Sequence, residues 1–424
     1  MKKHIQKVRT LATSTTAKDT YVLFVGNLVA AFLGFIFTVI VARGLTVEDF
    51  GVFSAANNLI MILVAITDLG VSAAIVRYIA ELHGKNKHKT EKEYIKAGFI
   101  IRMVSVFVFS IALVLLAPYV GKTLTASSDL SIIYWVVAIS FGMIFYTLPP
   151  FVMQAKRKFV ASAVIDNGLG LLRAILTMLF YLLTYLTIDN VFLAFFLGTI
   201  ASFILSVYYL GFDYLLVRTS IKKVKEILRY SGWIGVNRVV SALSGRLDVA
   251  MLAAMLGATA TGLYSIPSRL TMFIMVLATS FSNVLATRLS AFGDKEREKV
   301  YLKKSVLAIL GIVAGIIFWM IIAEPFVLLL FGEKYLEAVG VFRALLASTI
   351  PFMLAVPATT AIIYAMKKTI YIGTFSFFQV TAIFLLNYFL IPIYGTYAPT
   401  ITFGITNTIM AIYAWIIVIN YYRK

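Results

Sequence analysis

Apolar residues fall in runs of roughly twenty, the length that crosses a ~30 Å hydrocarbon core, and short polar breaks separate the runs. Twelve spanning helices are predicted, at about 21–42, 52–80, 97–118, 131–153, 160–187, 191–214, 231–256, 262–289, 305–330, 338–366, 369–390 and 396–421. Residues 1–20 are basic and weakly amphipathic, and read as a cytoplasmic interfacial helix. The apolar run from Tyr21 is longer than the core of a signal peptide, so it reads as an uncleaved first span. No loop between runs is long enough to form a domain, and the loops on one side are mostly very short.

Composition agrees with a chain that lives in lipid. Of its 424 residues, 61% are hydrophobic and 13% charged, where a soluble domain has about a quarter charged. The net charge of +19 would suggest nucleic acid in a soluble protein, but here the placement of the charges matters more than their sum. With loops numbered alternately, one set holds 28 Lys and Arg and the other three, with seven arginines left inside or at the ends of spans. The positive-inside rule then puts both termini in the cytoplasm, in a multi-pass protein of the cell membrane. With no cysteine in the chain, disulfides, thiolate metal sites and cysteine catalysis are excluded. Its three histidines, His4, His83 and His88, lie in polar segments and read as too scattered for a metal site.

The chain also repeats itself. Leu45–Leu59 aligns with Leu256–Leu270 at an offset of 211, with identity at Leu45/Leu256, Gly51/Gly262, Ser54/Ser265 and Leu59/Leu270. A weaker pair at offset 210 joins Ala155-Lys156-Arg157-Lys158 to Ala365-Met366-Lys367-Lys368. The expected fold is therefore all-α and membrane-integral, with two six-helix lobes related by a pseudo-two-fold axis along the membrane normal. The N-lobe is expected over 21–216, a cytoplasmic linker over 217–230 and the C-lobe over 231–424.

Polar residues at membrane depth are costly and mark candidate function. In the fifth span Ser162, Asp166, Gly170, Arg173, Thr177 and Thr184 share one helix face, which reads either as a lumen strip where Arg173 meets an anion or as a structural ion pair. The seventh span offers Asn237, Ser241, Ser244 and Asp248, with Arg238 at the edge and Arg246 on the opposite side, read as packing. The second offers Ser54, Asn57, Met61, Asp68 and Ser72, with Arg77 snorkelling on its other face. Ser265, Arg269, Met272, Thr279 and Asn283 line the eighth span, and Asn27, Ala31, Gly34 and Thr38 the first. Small and hydroxyl residues also glue membrane helices together, which is the plainer reading of the Ser, Thr and Gly members. Arginine outnumbers carboxylate well inside the spans, and guanidinium is the group suited to phosphate, so an acidic substrate is expected.

Several segments resemble the polysaccharide (O-antigen type) flippases of the multidrug/oligolipid/polysaccharide exporter superfamily. They are Ala42-Arg43-Gly44-Leu45-Thr46-Val47-Glu48-Asp49-Phe50-Gly51-Val52-Phe53, then Asp68-Leu69-Gly70 with Arg77, and Asp248 followed by Gly262-Leu263-Tyr264-Ser265. Phe331-Gly332 with Tyr335 and Ala338, and Asn387 with Leu390-Ile391-Pro392-Ile393-Tyr394-Gly395, continue the likeness in the same order along nearly the whole chain. Thr396-Tyr397-Ala398-Pro399 departs from it, so an irregular start to the last helix is expected. The resemblance implies two lobes facing in a V around a cationic central cavity, and alternating access. It implies a transporter, not an enzyme, that flips a polyprenyl-pyrophosphate-linked oligosaccharide from the inner to the outer leaflet for cell-surface polysaccharide biosynthesis.

On that reading Arg173, Arg238, Arg269, Asn57 and Asn237 bind substrate. Asp68, Asp166 and Asp248 couple to a proton or sodium ion, or pair with the arginines. No G-x-x-x-x-G-K-[ST] loop is present, so ATP is not the direct drive, and no cofactor, metal or nucleic-acid partner is expected of what reads as a monomer. Two rivals remain: an ion-coupled multidrug exporter of the same superfamily, which would favour carboxylates inside, and a membrane glycosyltransferase or polymerase. The latter would need a sizeable catalytic loop or a carboxylate pair placed for acid–base work.

Overall fold

The computed structural model describes residues 15–183, 185–292 and 294–423. The basic segment before residue 15 and Thr184 lie outside the described residues. Residues 15–20 are helical and run straight into the first span, so α1 covers Thr15–Gly44. The following helices are α2 (Val47–Asp68), α3 (Val71–Gly84), α4 (His88–Leu115), α5 (Leu130–Thr147), α6 (Pro149–Ala155), α7 (Phe159–Leu183) and α8 (Ile188–Leu210). The second half holds α9 (Ile221–Ser244), α10 (Leu247–Leu256), α11 (Ala258–Ala291), α12 (Lys295–Ile321), α13 (Ala323–Phe331), α14 (Leu336–Tyr364), α15 (Thr369–Tyr394) and α16 (Ala398–Arg423).

Among the described residues, ten stretches are long and apolar enough to cross a membrane, or eleven when the bent pair α9 and α10 is taken as one. One of these stretches, Thr369–Arg423, is two helices of 26 residues each, turned at Gly395, which has φ +56°. Counting them separately gives the twelve spans expected. The irregular start of the last helix is present too, as a single 3-10 turn over Gly395–Tyr397.

The chain forms two compact units. The first holds residues up to Thr46 together with Ala56–Arg246, and the second holds Val47–Ala55 and Leu247–Lys424. The chain therefore changes unit within α2 and again at the 47° bend between α9 and α10. Residues 221–230, where the charge pattern suggests a linker, open helix α9, which packs on α3 and α4 in the first unit.

Helix pairing recurs from one half to the other. In the first unit α7 packs on α1 and α8, and α5 on α4 and α8; in the second α15 packs on α10 and α16, and α14 on α12 and α16. The repeated glycines meet inside the second unit. A Cβ on Gly51 would lie 1.8 Å from Ala258 O, and one on Gly262 would lie 2.3 Å from Val47 O. Val47 and Ala258 are themselves related by the 211-residue offset, so the contact is self-complementary, as two-fold related surfaces must be. Only glycine permits this backbone approach.

Outer faces are apolar, as lipid requires. Along α4, Val104, Phe107, Val108, Ile111 and Leu115 are exposed while Phe99, Arg102, Val106, Ser110 and Leu113 are buried, a helical division of one apolar span into a lipid face and a packed face.

Candidate anion site

The site begins with a break in the second span. The apolar pattern predicts one helix over 52–80, but α2 stops at Asp68 and α3 restarts at Val71. Leu69 and Gly70 both take positive φ, 46° and 74°. Gly70 is also pressed against α9, where a Cβ would lie 2.7 Å from the Gly235 nitrogen and 2.8 Å from Ser231 O. The break leaves the first N–H groups of α3 without helical partners, and the Asp68 carboxylate serves one of them. Its Oδ1 accepts from the Ser72 N–H at 3.2 Å and from the Ser72 hydroxyl at 2.6 Å.

Two arginines converge on the same carboxylate. Arg102 Nη2 on α4 donates to Oδ1 at 2.7 Å, while its Nη1 donates to Thr147 Oγ1 at 3.1 Å. Arg238 Nη1 on α9 donates to Oδ2 at 2.7 Å. The surroundings of the two guanidiniums differ. Arg102 and Asp68 are 3% and 5% exposed, whereas the Arg238 side chain is 40% exposed. Two guanidiniums on one carboxylate leave a net charge of +1 within the spans, and its reachable end is Arg238.

Arg173 lies elsewhere in the first unit, on α7. Its guanidinium carbon sits 4.0 Å from the centre of the Phe37 ring on α1 and 4.7 Å from that of Phe195 on α8, a cation–π sandwich. Its Nε is buried without a hydrogen-bond partner. Asp166 is exposed, and no salt bridge joins it to Arg173 among the described residues. The ion-pair reading of that face is thus corrected: seven residues are two turns, about 10 Å along the axis, too far for these side chains to meet. Nor is the face a single strip, because Ser162 and Thr177 are buried and Ser162 bonds Gln154 Nε2 at 3.0 Å.

The stripe predicted in the seventh span is interrupted by the bend at Gly245. Asn237 is exposed on α9, whereas Asp248 opens α10, where it accepts from the Val249 N–H at 2.8 Å and the Tyr264 hydroxyl at 2.6 Å. Asn57 is half-buried. Its neighbour Asn58 makes the contacts, donating to Arg246 O at 3.0 Å and accepting from Arg246 Nη1 at 3.5 Å, so Arg246 does more than pack. Arg269 has its guanidinium carbon 5.8 Å from both the Phe50 and Phe53 rings in the second unit. Arg77 does not simply snorkel; it covers the Tyr230 ring at 4.3 Å.

Of the predicted residues the structure brings together Asp68 and Arg238, and adds Arg102. The spacing of α4 could have revealed it, since Gly98, Arg102, Val106 and Ser110 fall four apart on the buried face.

A family model described as "Polysaccharide biosynthesis protein" matches residues 16–286, which is more than half of the chain. The chain belongs to this family. Among relatives, a candidate O-antigen transporter of Shigella flexneri is 23% identical over 376 residues, covering 86% of this chain and 88% of that one. The uncharacterized membrane protein EpsK of Bacillus subtilis is 26% identical over 301 residues, 66% of this chain and 58% of that one.

Among solved structures, the lipid II flippase MurJ in an inward closed conformation matches with a TM-score of 0.76 at 14% identity, over 93% of this chain and 87% of that one. An inward-facing multidrug resistance MATE transporter of the MOP superfamily matches at 0.71 and 14% identity, over 91% and 93% of the two chains. The fold is like that of these MurJ and MATE transporters, two-lobed and membrane-integral, as the resemblance implied. These neighbours are transporters rather than enzymes, and this chain, a member of the polysaccharide biosynthesis family, is a multi-pass membrane protein.

Proposed function

We propose that this protein flips a polyprenyl-pyrophosphate-linked oligosaccharide from the inner to the outer leaflet of the cytoplasmic membrane by alternating access, with both termini in the cytoplasm. The observation that carries the reading is the Arg102–Asp68–Arg238 cluster: a positive charge held within the spans, anchored by the buried Arg102 and presented by the half-exposed Arg238. A pyrophosphate offers the paired oxygens that a guanidinium fork binds best, and it would compete with Asp68 for Arg238. Asp68 gives Arg238 a partner when no substrate is bound, so the charge need not be stripped of all company in a poorly hydrated setting. Arg173, laid on the Phe37 and Phe195 rings in the same unit, is a further anion contact for the sugar-phosphate head group. The exposed Asp166 is the carboxylate best placed to load a coupling proton or sodium ion, because Asp68 is held by two arginines and Asp248 by Tyr264. The protein would act as a monomer. A multidrug exporter for cations is disfavoured by the same excess of guanidinium over carboxylate.

The test is leaflet translocation in proteoliposomes. A fluorescent polyprenyl-pyrophosphate oligosaccharide is offered to wild type and to Arg238→Ala, with and without an imposed proton or sodium gradient. Translocation by wild type that falls at least tenfold in the folded variant is the expected result. Folded wild type that moves none of a panel of lipid-linked glycans would overturn the reading.

A further inference from the structure

Two of the three histidines, far from the anion site, converge on one buried carboxylate. Helix α3 ends with His83 in its last turn, α4 begins at His88, and only residues 85–87 separate the helices. Asn86 takes φ 54°, and the reversal is closed by bonds from Lys85 N and Lys87 N to Leu82 O, each 3.1 Å. This turn places the two imidazole centres 5.8 Å apart. Both Nδ1 atoms point at the same oxygen, Glu91 Oε1, at 3.1 Å from His83 and 3.0 Å from His88. Glu91 is 1% exposed, and its second oxygen meets Lys156 Nζ at 3.1 Å, in the turn after α6. The histidines, by contrast, are 40% and 61% exposed. The reading of the histidines as scattered therefore fails for this pair, because a three-residue turn between antiparallel helices brings positions five apart face to face.

From this geometry we infer that His83, His88 and Glu91 form a binding site for a borderline divalent cation of the zinc class. The three donor atoms all lie within 4.8 Å of one another. Zinc binds imidazole nitrogen and carboxylate oxygen at about 2.0–2.2 Å, so the edge of its tetrahedron is about 3.3 Å. The two nitrogen–oxygen separations need only open by a few tenths of an ångström to become such edges. Imidazole donors select Zn2+, Cu2+ or Ni2+ over Mg2+ and Ca2+. Burial and the Lys156 contact hold the carboxylate in place, as outer partners hold ligands in other metal sites. The exposed imidazoles leave the fourth coordination position open to water. With each Nδ1 on the metal the ring is neutral and carries its proton on Nε2, and any proton displaced from Nδ1 passes to solvent. Occupancy fastens the α3–α4 corner, already linked through Lys156 to the turn after α6.

The experiment uses the full chain, purified in detergent with an affinity tag free of histidine. Co2+ is titrated by absorption spectroscopy and Zn2+ by calorimetry, and thermal unfolding is followed with and without Zn2+. Wild type is expected to bind one Zn2+ per chain and to gain thermal stability from it. His83→Ala and His88→Ala should each weaken binding at least ~10-fold, the smallest loss that even an outer-sphere change brings, in protein whose metal-free unfolding shows it to be folded at the temperature of the titration. His4→Ala should bind as wild type does. Absence of saturable binding to folded wild type, or binding of unchanged affinity in the folded His83→Ala/His88→Ala double variant, would overturn the site.

Discussion

Arg102 and Arg238 hold the same carboxylate at the same 2.7 Å, yet removing them should have very different consequences. At an effective dielectric of ~20 and a charge separation of ~4 Å, each pair attracts by about 4 kcal/mol, so distance alone cannot separate them. What separates them is hydration. Arg102 is buried beside a buried Asp68, and removing it leaves the carboxylate with only the solvent-screened Arg238, at a cost approaching the ~3–5 kcal/mol of a broken buried pair. Arg238 is 40% exposed, so solvent already screens its bond, and its loss should cost about 1 kcal/mol or less. Arg102→Met should therefore lower the unfolding temperature in detergent by far more than Arg238→Met. Transport should respond in the opposite sense per unit of stability lost: Arg238→Met folds and does not translocate. Adding Asp68→Asn to Arg102→Met should recover much of the stability, giving a coupling energy of at least ~2 kcal/mol rather than the few tenths seen for independent sites. Equal destabilisation by the two arginine variants, or additive behaviour of Asp68→Asn with Arg102→Met, would refute the division into a buried anchor and a reachable ligand.

Gly51→Ala and Gly262→Ala should each destabilise by about 1–3 kcal/mol or more, since the new methyl collides with backbone rather than with a yielding side chain. The double variant should lose less than the sum, because a single separation of the helices relieves both clashes; chemical denaturation of all three measures it. Gly34→Ala, with nothing within 4 Å of the added methyl, should be neutral or gain up to ~1 kcal/mol in the same assay. At the start of α9, Glu226 accepts a bond from the Tyr94 hydroxyl and Lys223 pairs with Glu93. Tyr94→Phe should weaken this clamp by about 1.5–3 kcal/mol, seen as faster hydrogen exchange in residues 221–230 than in α7.

Twelve spans, the repeat and the irregular start of α16 were all legible in the chain, because each rests on a one-dimensional signal: run length, self-similarity or a turn dipeptide. The interruptions inside spans were not. Asp68-Leu69-Gly70 was visible as a motif, but nothing in hydropathy says that Leu69 leaves the helix, since an apolar residue fits lipid whatever its φ. Without that break Asp68 and Ser72 read as two points on a stripe, when they are in fact bonded to each other across it. The stripe through Asn237, Ser241, Ser244 and Asp248 failed in the same way, at Gly245, because helical arithmetic assumes a continuous axis. Arg102 is hard to see in the sequence for a different reason: its predicted span holds no other charge, and its partner lies 34 residues away.

The repeat and the charges also obey different rules. The backbone contact of Gly51 with Gly262 is reciprocal, and helix pairing recurs between the halves, so the scaffold keeps the symmetry of its repeat. The cluster does not. At the 211-residue offset Asp68 corresponds to Thr279, Arg102 to Val313 and Arg173 to Phe384. A symmetric frame can be conserved by packing alone, because each half must bury the same kinds of face. Buried charges face no such requirement: a second copy of Asp68 with its two arginines would carry a second desolvation penalty of several kcal/mol per ion. The single asymmetric cluster is therefore better explained by a task than by the fold. Grafting tests this: Thr279→Asp with Val313→Arg should destabilise the second half and leave translocation no faster. A graft that folds as well as wild type would show that the fold tolerates the cluster anywhere, and would remove this argument for its function.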